Sequence, residues 1–198
     1  WALGDGEVGS GAVVVHTYPA TGVYDAAVTA IADPDEGMRH RSMQATDGQS
    51  RAFADYREML SADLCDAYVV ASPNDTHHGV MLDLLPGNKP ILVEKPLCNT
   101  TDACRDVIGR LNGRTAPVWV AMEYRYMPPV ERLITELDRG TAGTLRMLAI
   151  REHRFPFLEK VGNWNRFNAR TGGTLVEKCC HFWDLMRLIA GADPVRVY

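Results

Sequence analysis

The chain predicts an α/β protein, with a parallel sheet wrapped by helices and a second unit of different character behind it. Two observations carry that expectation. Short apolar runs alternate with amphipathic stretches: residues 66–71, then a stripe of Val80, Met81, Leu84 and Leu85, then Ile91-Leu92-Val93. Strand, helix, strand at this rhythm builds a parallel sheet with helices on its faces. The last run also passes straight into Glu94-Lys95-Pro96. Proline ends the ladder, so Lys95 falls at the strand's carboxyl edge, where open α/β sheets bind their ligands. A solvated lysine closing a surface strand is the plainer reading of the same hexapeptide.

Ahead of that sheet, Trp1-Ala2-Leu3 reads as the tail of a strand, and Gly4-Asp5-Gly6-Glu7-Val8-Gly9 supplies a G-x-G-x-x-G. Glycines so placed let backbone N–H groups at a helix start meet a pyrophosphate. The valine-rich residues 11–18 are only fairly helical, so context supports the loop in part. Residues 26–32 then read as a buried strand ended by Asp33-Pro34-Asp35. Asp33 follows Gly9 by 24 residues, near the roughly 20 at which an acidic group meets an adenosine ribose and repels a 2′-phosphate. Asp33 and Asp35 would otherwise only cap the helix starting near Glu36. Arg39 and Arg41 would suit a phosphate, which keeps NADP possible beside NAD.

A short strand at Phe53 and a short helix over residues 57–61 lead to the strand at 66–71, which Ser72-Pro73-Asn74 ends. Asn74 or Asp75 is placed to cap the next helix, and Gly87-Asn88 breaks it. His77 and His78 open that helix without a ligand partner at i+4, so no metal is expected and one of them lines the ligand cleft or is solvated. Ala103, Val107, Ile108 and Leu111 mark another helix, capped by Thr100 or Thr101, and residues 117–122 supply a further strand. The first domain is set at residues 1–122 and the second at 123–198. The second opens with Tyr124-Arg125-Tyr126, a helix from Pro128-Pro129 through Leu137, and a longer strand over residues 145–153.

Charge of both signs is spread along the chain at a net −4, leaving no basic stripe for nucleic acid. No apolar run approaches the roughly 20 residues needed to span a bilayer, and no signal peptide is visible. Cys65, Cys98, Cys104, Cys179 and Cys180 are odd in number, without CxxC or metal-type spacing, which favours reduced thiols and a cytoplasmic setting. The absent initiator methionine and the strand-like Val195-Arg196-Val197-Tyr198 predict a fragment of a longer protein.

Gly172-Gly173 opens a last segment, residues 174–190, that is apolar on most sides, and it is expected to be one largely buried helix. Glu177, His181 and Asp184 interrupt it at i, i+4 and i+7, on one face. Burying charge without a partner costs several kcal/mol, on the order of what a folded domain can spare, so the stripe must face a polar partner or a cavity. A structural Glu177–His181 pair is one reading and a reaction site is the other.

Four blocks in order resemble the glucose–fructose oxidoreductase/inositol dehydrogenase (Gfo/Idh/MocA) family: Gly4–Gly9 with Asp33, Ser72-Pro73-Asn74-Asp75-Thr76-His77, Glu94-Lys95-Pro96, and Gly172-Gly173 with Glu177 and His181. The resemblance implies an N-terminal Rossmann domain, doubly wound and parallel. It implies that the start of an α+β substrate domain with an open, mostly antiparallel sheet follows, carrying the contacts of a homodimer or tetramer. It implies oxidation of a sugar or cyclitol hydroxyl with NAD, or the reverse. On that pattern Lys95 matches the active-site lysine and His181 the histidine that handles the hydroxyl proton. Gly4, Gly6, Glu7, Val8, Gly9 and Asp33 match the dinucleotide loop and ribose ligand, and Ser72, Asn74, His77 and Glu94 the nicotinamide-ribose rim. Arg125, Trp164 and Asn165 fall on the substrate side. Glu177 stands where the family usually has aspartate, and Lys178-Cys179-Cys180 replaces the commoner small and apolar residues. A non-catalytic NAD-binding sensor or scaffold, and an NAD-dependent glycosidase working through transient oxidation, are the alternatives.

Overall fold

The computed structural model describes residues 27–153 and 159–197; the Gly4–Gly9 loop, with Gly6, Glu7 and Val8, and the strand expected before it lie outside the described residues. The chain divides into two compact units, residues 1–120 and 121–198.

In the first unit β1 (Ala30–Ala32) pairs in parallel with β2 (Arg51–Phe53), matching Ala30 to Arg51 and Ala32 to Phe53. The strand expected from residue 26 is this short, because only an isolated bridge forms at Ala27. Between the strands runs α1 (Glu36–Ala45), which buries none of its residues. Its start is fixed by Asp35, whose carboxylate accepts from the Met38 N–H at 2.8 Å. The next helix, α2 (Tyr56–Ser61), is capped likewise by Asp55 and sets Met59 into the core.

The larger sheet has the order β3-β4-β5. β3 (Tyr68–Val70) is buried along its length, and β4 (Ile91–Glu94) lies parallel to it with Tyr68 matched to Ile91 and Val70 to Val93. Continuous apolar strands of this kind need helical cover, and α3 (Asn74–Leu84) and α4 (Thr101–Gly109) pack into the same core as these strands. Met81 of α3, Val107 of α4 and Val93 of β4 are fully enclosed in one cluster, each such side chain stabilising the fold by about 1.5–3 kcal/mol. Thr100 caps α4 by accepting from the Ala103 N–H at 3.3 Å. The cap of α3 differs from expectation. Pro73 holds that position, Asn74 is already helical, and Thr76 closes the turn through its hydroxyl, 2.7 Å from the Pro73 carbonyl. β5 (Val118–Ala121) completes the sheet.

Beyond the end of β5, the regular structure among the second unit's described residues is helical. A 3-10 turn (Glu123–Tyr126) leads into α5 (Pro128–Asp138), with proline at the start, where its missing N–H costs nothing. The strand expected over residues 145–153 is not formed: a strand exists only as a ladder, and no pairing is made there among the described residues. A 3-10 segment (Val161–Arg166) precedes α6 (Asn168–Thr171), and Gly172 and Gly173, with φ of 80° and 85°, turn the chain into the left-handed region that only glycine enters freely. The single buried helix expected over residues 174–190 is a second difference. It divides into α7 (Thr174–Glu177) and α8 (Cys180–Ala190), broken at Lys178, where φ is −109°. It is also less enclosed than its composition suggests. Leu175 is 68% and Trp183 51% exposed, while His181 and Leu185 are the buried residues of α8.

Candidate active site

The parallel register brings two chain reversals to one sheet edge. Val70 is matched to Val93, so Ser72 and Lys95, each two residues further on, leave the sheet at the same carboxyl end. β4 stops at Glu94, and the half-buried Lys95 precedes Pro96 across a cis peptide bond. Glu94 bends back so that its Oε2 accepts from the Lys95 N–H at 3.1 Å. Asn74, 3% exposed, begins α3 at this edge, and the Ser72 hydroxyl lies 2.6 Å from Thr76 Oγ1.

His77 stands behind these residues, inside the wall of the edge. Its ring is fully enclosed at 0% exposure, with Nδ1 2.9 Å from the Pro96 carbonyl oxygen and Nε2 2.8 Å from that of Ser72. A side chain so placed acts on a ligand only through the loops it holds. His78 points elsewhere, to Asp106 at 2.8 Å, and this contact together with Arg110 holds the Asp106 carboxyl below its ordinary range.

Asp33 follows β1 directly and is half-buried. Its Oδ1 accepts from the Asp35 N–H at 2.8 Å, so it shapes the turn while Asp35 alone caps α1. Arg39 folds inward over the same turn, Nη1 donating to the Asp33 carbonyl at 2.6 Å and the Pro34 carbonyl at 2.9 Å.

In the second unit His181 is 2% exposed near the start of α8. The Tyr124 ring stacks on it, centroids 4.1 Å apart and 8° from parallel, and Glu123 Oε1 lies 3.5 Å from Nε2. The segment that carries Glu177, His181 and Asp184 is divided at Lys178, so Glu177 closes α7 while His181 and Asp184 lie on α8; Asp184 is taken by Arg125, whose Nε donates to Oδ2 at 2.5 Å and Nη2 to Oδ1. Arg125 therefore anchors the 3-10 turn to α8, and that ion pair holds its guanidinium firmly charged. Trp164 and Asn165 are half-buried in the 3-10 segment before α6.

Sequence reasoning passed over a further group. Lys178, 7% exposed, lies 2.9 Å from Glu152 Oε2 and donates to the Tyr124 hydroxyl, which donates to Glu152 Oε1 at 2.8 Å. The available signal was a lone lysine inside an apolar segment. Among the described residues no cluster of His, Cys, Asp and Glu could hold a metal ion, and no helix is long and apolar enough to cross a membrane.

A parallel sheet whose carboxyl edge gathers small polar side chains and a lysine, with an acidic residue at a separate strand tip, defines a dinucleotide-binding α/β domain. The comparisons agree. The model of the oxidoreductase family with an NAD-binding Rossmann fold matches residues 7–122, and that of the same family's C-terminal alpha/beta domain matches residues 135–198. The chain belongs to the Gfo/Idh/MocA oxidoreductase family. It is 33% identical over 129 residues to inositol 2-dehydrogenase 2 of Saccharopolyspora erythraea, covering 65% of this chain and 38% of that protein. It is 27% identical to inositol 2-dehydrogenase of Rhizobium meliloti, covering 98% and 56%. The chain thus spans about half the length of such relatives. Its fold is similar to that of myo-inositol 2-dehydrogenase from Lactobacillus plantarum, with a TM-score of 0.69, 16% identity and coverage of 84% and 49%. A levoglucosan dehydrogenase in complex with NADH and levoglucosan gives a TM-score of 0.68 at 20% identity, covering 82% and 45%.

Proposed function

We propose that the chain is part of an NAD-dependent dehydrogenase that moves a hydride between the nicotinamide and a secondary hydroxyl of a sugar or cyclitol. The observation that carries this reading is the shared edge of β3 and β4, where Lys95 leaves the sheet beside Ser72 and Asn74. That edge suits a dinucleotide, because its donors are small and polar and the wall behind them is rigid. Ser72, Asn74 and Glu94 would hold the nicotinamide ribose, and Asp33 the adenosine ribose. Arg39 Nη1 is turned onto the chain's own carbonyls, which favours NAD over NADP. When bound, the nicotinamide supplies the hydride acceptor or donor.

The chain's own residues do the rest. His181 takes the hydroxyl proton, a task imidazole suits because its ordinary pKa of about 6.5 is close to working pH. Lys95 stabilises negative charge on the substrate oxygen as that proton leaves. Glu177 orients the substrate or His181, and Arg125, Trp164 and Asn165 shape the substrate side. The relatives named inositol 2-dehydrogenase and the levoglucosan dehydrogenase support a polyol or sugar substrate. A homo-oligomer and a cytoplasmic setting complete the reading, the latter because all five cysteines are free thiols.

The test is a polyol and sugar panel on the full-length protein with NAD, read by NADH absorbance. Lys95→Ala should lower kcat about a hundredfold or more with NAD binding nearly kept. Undiminished turnover on the substrate so found would refute the assignment. Release of an aglycone without net NADH would point to the glycosidase chemistry instead.

A further inference from the structure

We propose that His77 is a positioning residue for Lys95, its ring carrying a hydrogen on both nitrogens and stapling the loop after β3 to the loop after β4. Both neighbours of the ring are backbone carbonyl oxygens, of Pro96 at 2.9 Å from Nδ1 and of Ser72 at 2.8 Å from Nε2. A carbonyl oxygen can only accept. A neutral imidazole has one N–H and one lone pair, so either tautomer sets a lone pair against an oxygen at under 3 Å. The ring is 0% exposed, so water does not relieve that contact. Two N–H groups satisfy both carbonyls at once, and a charged donor strengthens each bond.

The surroundings weigh on both sides. His77 lies in the first turn of α3, whose positive end opposes a cation. Two carbonyl dipoles aimed at the ring favour one. The titratable groups on the elements around it are Tyr68 on β3, Asp75, His78 and Asp83 on α3, Asp102, Cys104, Arg105 and Asp106 on α4, Cys98 in the loop before α4, and Glu94 and Lys95 at the end of β4. Asp106 is engaged by His78 and Arg110, Asp83 by Tyr56 and Arg57, Asp102 by Arg105, and Glu94 folds onto the Lys95 backbone, while Asp75 shares the first turn of α3 with His77.

Pro96 directly follows Lys95, and Ser72 opens the facing loop. Losing one ring hydrogen would release one of these carbonyls and loosen the support of Lys95. The catalytic consequence rests on the proposed role of Lys95; the protonation state does not, and the two are tested separately. Nitrogen-15 NMR of the full-length protein, labelled at histidine, should show both His77 nitrogens bearing hydrogen at neutral pH, the pair of signals being assigned by its loss in His77→Gln. One protonated and one bare nitrogen would overturn the staple. If His77→Gln does not fold, assignment through the labelled wild-type backbone decides the same question. In kinetics, His77→Gln should lower kcat about ten- to a hundredfold with KM for NAD little changed. Two hydrogens on the ring with no effect on kcat would leave the staple standing and remove its link to Lys95. Full activity of Lys95→Ala would instead sink the reading of the site itself.

Discussion

Lys178→Met removes an ammonium that is 7% exposed and keeps most of its apolar stem. Its Nζ lies 2.9 Å from Glu152 Oε2. At an effective dielectric of about 20 such a pair attracts by about 6 kcal/mol, most of it offset by withdrawing both charges from water. The Glu152 side chain is 27% exposed, so its carboxylate regains hydration when the partner goes. The net loss is therefore set at about 2 kcal/mol, below the 3–5 typical of a fully enclosed pair. Urea unfolding of the full-length protein, followed by tryptophan fluorescence, should show the midpoint fall at an unchanged slope. Glu152→Gln and the double variant complete a cycle with an expected coupling of about 1–2 kcal/mol. A coupling under about 0.3 kcal/mol, the level at which independent sites add, would refute the claim that these charges act as a pair. The Tyr124 hydroxyl belongs to the same network, so losing it also frees the ring that stacks on His181.

Three further outcomes are expected. Asp33→Ser should shift cofactor preference from NAD toward NADP; if the ratio of kcat/KM for the two does not move, Asp33 serves only its turn. The Cys104 thiol is lowered to about 6, chiefly by a hydrogen bond from the Cys98 thiol with help from the charge of His78. The thiolate is the reactive form and is populated above the pKa, so alkylation of Cys104 should already be near its plateau at pH 7–8; Cys98→Ser should keep that bond, while Cys98→Ala should move the rise to higher pH, as peptide mapping after iodoacetamide will show. Thr100→Ala should cost about 1 kcal/mol by uncapping α4, measurable as a lower unfolding midpoint.

The parts of the fold legible in the sequence are those set by local pattern. Residues 68–70 and 91–94 declare themselves by apolar runs with a proline behind each, and Asp35 and Thr100 by a capping side chain three residues before the N–H it takes. The family resemblance read from four short blocks is borne out over residues 7–122 and 135–198. What escaped depends on distant partners. Lys, Cys and Cys at 178–180 are acceptable helix formers, and the break comes where Lys178 reaches Glu152 and Tyr124. Glu123 beside His181, and Asp184 beside Arg125, join residues nearly sixty positions apart. His77 read as a surface or cleft residue because a polar side chain near a helix start usually is one; two carbonyls from other segments enclose it.

The interruption between α7 and α8 has a consequence for how this scaffold can be altered. On an unbroken rod, tilting the carboxylate at 177 would drag the imidazole at 181 with it. Here a double-glycine pivot lies on one side of the short α7 and a bent joint on the other. Exchanging the six residues from Gly172 to Glu177 could therefore re-aim one acidic group while α8, fastened through Asp184 to Arg125, keeps its bearing.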